Sequence, residues 1–304
     1  MNRFLLLILL FAFSLINASN RADIYLINPI ETPHGILLTN NSESTLYLLQ
    51  NGKLEKLLSA PGCGKYINVS SNGNLVGLKF IDLDTRLQAP AIYNLETKTL
   101  TKLSIPVKNS GQVSFSRSNL IVFTIENDLI LNSGTEQTKI DLGFYTNRAT
   151  ISPDGKSVVY KNNNDQLIVL DRESGSSKKI TSGESGFYNA IWSPNNSQIA
   201  FQSIDAKIYL YNIKNEHQTF IANGENPKWS EDSKSIIFFN KEIDFQKEKL
   251  LNSDIFEYQI DKDELFNISN TKDKFEMNPS YSIKGEILFQ NYTNSEVIKI
   301  NTST

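Results

Sequence analysis

Few residues of this 304-residue chain combine in a way that does chemistry. The two histidines, His34 and His217, fall at unrelated points of the sequence. The single cysteine, Cys63, sits in the loop phrase Pro61-Gly-Cys-Gly64. A cysteine nucleophile needs a base beside it, and the nearest histidine in sequence is His34. No Gly-x-Ser-x-Gly elbow presents a hydrolase serine. Zinc spacing of His and Cys is absent, as are glycine-rich phosphate loops. Asp82-Leu-Asp84 and Asp261-Lys-Asp263 start like calcium loops, but neither continues to a central Gly and a closing Glu. The reading that follows is a protein without catalytic residues, metal or cofactor.

Recognition chemistry is better represented. Four short stretches combine aromatic, amide and cationic side chains, the types enriched where proteins bind partners. They contain Tyr145 and Arg148; Phe187, Tyr188 and Asn189; Asn226 and Lys228; Phe275 and Asn278. These nine are the candidate partner-binding residues. The competing reading of Phe187 and Phe275 is that they cap the packing beneath them.

The elements that must position these stretches are announced by a repeat. An apolar residue, a Ser, a turn pair and a β-run recur. The clearest copy is Ile151-Ser-Pro-Asp-Gly-Lys-Ser-Val-Val-Tyr160, followed by Trp192-Ser-Pro-Asn-Asn-Ser-Gln-Ile-Ala-Phe201 and Trp229-Ser-Glu-Asp-Ser-Lys-Ser-Ile-Ile-Phe238. Anchoring on Thr32, Ser70, Ser116, Ser152, Ser193, Ser230 and Ser282 gives a period of about forty residues, the length of a four-stranded propeller blade. Between anchors, apolar runs of strand length alternate with Gly, Asn and Asp. The one stretch with helical spacing is Phe245–Leu251. Asp154-Gly155 is expected to supply positive φ angles to a hairpin turn, and Ser152 to bond its own turn. Trp192 and Trp229 are expected to pack between blades.

The Ile-Ser-Pro-Asp-Gly and Trp-Ser-Pro-Asn phrases resemble the repeat of TolB-type β-propellers, and the likeness extends over nearly the whole chain. The resemblance implies an all-β propeller of four-stranded antiparallel blades, with seven expected from the anchors and six as the alternative. It implies little about function, because one fold hosts many.

Chain-level features bound the rest. A formal charge of −3 and a pI near 5.6 argue against a nucleic-acid partner. Residues 1–19 read as a signal peptide, with Arg3 before an apolar run and Ala18 or Ser19 at the cut. Residues 20–304 form the propeller domain. The expected location is periplasmic or secreted, without membrane insertion after cleavage. Ring closure is assigned to an N-terminal strand, Asp23–Ile27, beside Glu296–Ile300. In an antiparallel blade the fourth-to-first and second-to-third connections emerge on one face. That face carries the four stretches above and the long insertions at 82–90 and 240–253. The expectation is a monomeric, non-enzymatic propeller that binds a protein partner there. A glycan or small ligand is the alternative, and a lyase or hydrolase at the channel mouth the least favoured.

Overall fold

The computed structural model describes residues 12–14, 25–183, 185–272 and 274–301. Seven four-stranded antiparallel sheets follow one another around a central channel. Blade 4 shows the pattern: inner strand Ala149–Ile151, then Ser157–Lys161, Leu167–Asp171 and outer strand Ser177–Lys179. The other inner strands are Leu26–Thr32, Asn68–Val69, Ser114–Phe115, Phe187–Trp192, Glu225–Trp229 and Glu276–Tyr281. Each of the seven anchors therefore ends or directly follows an inner strand, and the Thr32 copy is a true blade.

The anchor explains why the phrase repeats. Ser152 Oγ donates to Asp154 Oδ1 at 2.6 Å and accepts from Ser157 N at 3.0 Å. Ser193 and Ser230 make the same pair of bonds with Asn195 and Gln198, and with Asp232 and Ser235. A buried hydroxyl thus satisfies both ends of its hairpin. Only Gly155 of the expected Asp154-Gly155 pair has positive φ, at 76°. Asp154 stays on the ordinary side because its carboxylate must fold back onto Ser152.

Blades are held together by apolar packing. Seven buried clusters correspond to the seven interfaces between adjacent blades. Phe187 and Phe201 of blade 5 pack on Val159 and Leu167 of blade 4. Trp192 and Trp229 add a polar tie, each indole N–H donating to an inner-strand carbonyl of the preceding blade, Thr150 O and Ile191 O. The closing interface is built likewise, from Leu26 and Leu38 against Leu288 and Val297.

Two expectations about local structure are corrected. Blade 7 is completed not by Asp23–Ile27 but by Ala12–Ser14, which pairs antiparallel with Ile298–Ile300. Leu26 and Ile27 instead pair with Asn40 and Thr39 in blade 1. A bulge at Asn28-Pro29 interrupts the strand Leu26–Thr32 and makes one strand look like two in sequence. The leader assigned to residues 1–19 lies outside the described residues except for Ala12–Ser14. Second, Phe245–Leu251 is not helical. It is the tip and return of a long hairpin, Ser235–Asp244 with Lys249–Gln259, in which continued backbone pairing outweighs the local spacing.

Candidate functional site

The channel is lined from one repeated position. Counting four residues back from each anchor gives Asn28, Tyr66, Gln112, Arg148, Asn189, Asn226 and Asn278, one per blade. Five of them, Asn28, Tyr66, Asn189, Asn226 and Asn278, hold φ between 51° and 57°. Four of those five, the asparagines, lie in bulges of the inner strand. Asn tolerates the left-handed region better than most residues, and Pro29, Pro227 and Pro279 fix the next residue. The bulge turns the side chain inward, towards the channel, at the end where fourth-to-first connections enter.

The amides are linked around the ring. Asn189 Nδ2 donates to Gln202 Oε1 at 2.9 Å, and Gln202 Nε2 donates to the Tyr188 hydroxyl at 2.7 Å. Asn226 Nδ2 donates to Asn278 Oδ1 at 3.4 Å, and Asn278 Nδ2 to Gln290 Oε1 at 3.3 Å. Not every group is satisfied. Both amide atoms of buried Gln112, Gln290 Nε2 and Arg148 Nε have no partner among the described residues.

Two cations stand in this ring. Arg148 donates through Nη1 to Asn189 Oδ1, and its guanidinium lies 5.5 Å from the Tyr66 ring centroid. Burial lowers its pKa to about 10. Lys228 stands half-buried beside it. Burial, and then the charge of Arg148, bring its pKa down to about 8. Neither cation has a carboxylate partner among the described residues. Of the carboxylates lining the same space, Glu225 is bound to Lys241 at 2.7 Å. Glu43 has its pKa raised by burial, against the opposing pull of Lys65.

The space has two lobes of about 340 Å³ each. One is the channel mouth, edged by Asn28, Asn226, Lys228 and Asn278. The other runs between blades 4 and 5, past Arg148 to Val159, Leu167, Phe187 and Ile204. Tyr66, Tyr188 and Asn189 line both.

The nine candidate residues divide. Arg148, Tyr188, Asn189, Asn226, Lys228 and Asn278 converge on this two-lobed site, and all but Arg148 sit in inner strands rather than connecting loops. Phe187 is 2% exposed and belongs to the blade 4–5 core, with only its edge on the second lobe. Tyr145 is turned towards Lys79: both donate to Ser110 O and Asn147 Oδ1, which forms a clasp between blades. Burial lowers the Lys79 pKa to about 8 and raises that of Tyr145 to about 12. Phe275 lies apart, beside Tyr25 and Tyr292. Asn28, Tyr66, Gln112 and Gln202 escaped the sequence reading. The signal that finds the first three is their fixed distance from the anchors.

No family model matches the chain, and no curated protein does. The likeness to TolB-type propellers therefore rests on the repeat phrase alone. Solved structures show the fold. An oligogalacturonate lyase in complex with manganese superposes with a TM-score of 0.67 at 9% identity, covering 95% of this chain and 92% of that one. The oligogalacturonate lyase of Vibrio parahaemolyticus gives 0.65 at 11% identity, covering 97% of each. The tricorn protease gives 0.52 at 14% identity, and the chain spans 28% of its length.

These structures correct one expectation. The non-enzymatic expectation rested on the missing catalytic motifs. Lyases are enzymes, and two of them occupy this architecture over nearly their whole length, so that argument does not hold. Among the described residues, no three His, Cys, Asp or Glu gather to hold a metal. The channel mouth offers mainly amides and cations, with Glu225 held by Lys241 and Glu43 apart from any second carboxylate, a set that does not suit manganese, so no step here is routed through a metal.

Proposed function

We propose that this propeller binds a carboxylate-bearing small molecule or acidic saccharide at its channel mouth. The carrying observation is the half-buried pair Arg148 and Lys228, unmatched by any carboxylate of the described residues. Two half-buried cations of like sign held close together repel, and an anion joining them relieves that cost. Arginine suits a planar carboxylate through paired N–H donors. The amides of Asn189, Asn226 and Asn278 add hydroxyl-recognising donors and acceptors, and Tyr66 and Tyr188 add flat faces. That an enzyme named for an acidic oligosaccharide shares the fold makes uronates the natural first probes.

Titration of acetate and digalacturonate into the protein, followed by ligand-observed NMR, tests this. Binding is expected to disappear in Arg148→Gln and to weaken in Lys228→Met. Equal binding by wild type and Arg148→Gln would refute the reading.

A second reading is carried by the long hairpin. Phe245 at its tip is 84% exposed, with Ile243 and Leu251 also open to solvent. Apolar groups presented together on this face suit a protein partner. Affinity capture with wild type and Phe245→Asp tests it: a partner retained equally by both would sink this reading.

A further inference from the structure

The second lobe says what kind of acid the site takes, on the premise that the channel mouth holds a carboxylate. Its walls beyond Arg148 are Val159, Leu167 and Phe187, all buried core residues showing only an edge. At the entrance stands Ile204, 73% exposed and directly beside this apolar wall. A free isoleucine over an apolar cleft gains only if something apolar covers it. The one charged pair in this lobe, Lys161 with Asp165, is mutually neutralised and offers no further site for an anion. Arg148 sits at the junction with its Nε unpartnered, and Tyr66, Tyr188 and Asn189 join the two lobes.

We infer that the ligand is an acid with an apolar arm. Its carboxylate meets Arg148, and its aliphatic chain lies along the cleft between blades 4 and 5, under Ile204. A bare uronate would leave that cleft and Ile204 uncovered. Each methylene buried there tightens binding about fourfold, so an arm of several carbons dominates the selectivity.

The test compares acetate with octanoate by ligand-observed NMR and calorimetry, using wild type, Arg148→Gln and Ile204→Asp. Ile204 is at the surface, so its substitution leaves the fold intact, which circular dichroism verifies. Octanoate is expected to bind at least roughly 100-fold more tightly than acetate. Ile204→Asp should weaken octanoate at least tenfold and leave acetate unchanged, and Arg148→Gln should abolish both. If acetate and octanoate bind equally and both depend on Arg148, the arm is refuted while the acid-binding reading stands. Octanoate binding that survives Arg148→Gln at full strength also refutes the inference. If no acid binds in an Arg148-dependent way, both readings fall.

Discussion

Replacing Lys228 by methionine should stabilise the protein while weakening its hold on an anion. Wild-type Lys228 carries its charge at neutral pH in a place that disfavours charge, and its pKa falls from 10.5 to about 8. That fall corresponds to roughly 3 kcal/mol of stability forgone at pH 7. A methionine of similar length keeps the packing of the stem and removes the charge. For a domain of this size, 3 kcal/mol amounts to a rise in Tm of about 5 °C. The pH dependence has a definite sign. Between about 8 and 10.5 the unfolded chain holds the Lys228 proton and the folded chain does not. Wild-type stability therefore gains on the variant as pH rises through that window, and the advantage of methionine shrinks towards zero near pH 10.5. Thermal unfolding by differential scanning calorimetry at pH 7 and pH 10.5, on both proteins, measures this. A variant that is less stable at pH 7, or a difference that does not change with pH, would show that Lys228 is already satisfied and would remove the main support for an anion site.

Three further outcomes are expected. Ser152→Ala should cost about 1–2 kcal/mol in urea unfolding, because Asp154 Oδ1 and Ser157 N each lose a partner at a buried turn; no loss would mean that the anchor hydroxyl is dispensable. Deleting residues 12–14 should lower the Tm and shift the protein towards oligomers in size-exclusion chromatography, since Glu296–Ile300 becomes an open edge; unchanged behaviour would show that blade 7 closes without its fourth strand. Cys63 is fully buried and its thiol is pushed up by burial, so it should react with a thiol reagent at pH 7.5 only after denaturation; rapid labelling of the native protein would contradict this.

What was legible in sequence follows from where each constraint acts. The Ser-Pro-Asp-Gly turn is local: hydroxyl, carboxylate and glycine lie within a few residues, so the blade phrase and the count of seven could be read directly. The channel ring is set by geometry around the whole circle. Its members share a position but not a type, and Tyr66, Gln112 and Arg148 give no hint that they correspond to Asn28 until the anchors are aligned. Gln202 was harder still, because it reaches the site from the second strand of its blade. The bulge at Asn28-Pro29 misled in the opposite direction, since a single inserted residue reverses the alternation by which a strand is recognised.

The ring also bears on how such a protein changes over generations. Blades 5, 6, 7 and 1 all carry Asn at the inward position, whereas blades 2, 3 and 4 carry Tyr, Gln and Arg. One arc keeps a residue that the backbone itself favours, and the other departs from it. Six of the seven, all but buried Gln112, project a side chain into the two-lobed space, each from its own sheet. A single substitution at any of the six can alter what the channel accepts without disturbing the packing between blades. The architecture separates the inheritance of shape from the inheritance of selectivity, and a designer wishing to redirect this propeller would begin at these six positions, changing bonded neighbours such as Arg148 and Asn189 together.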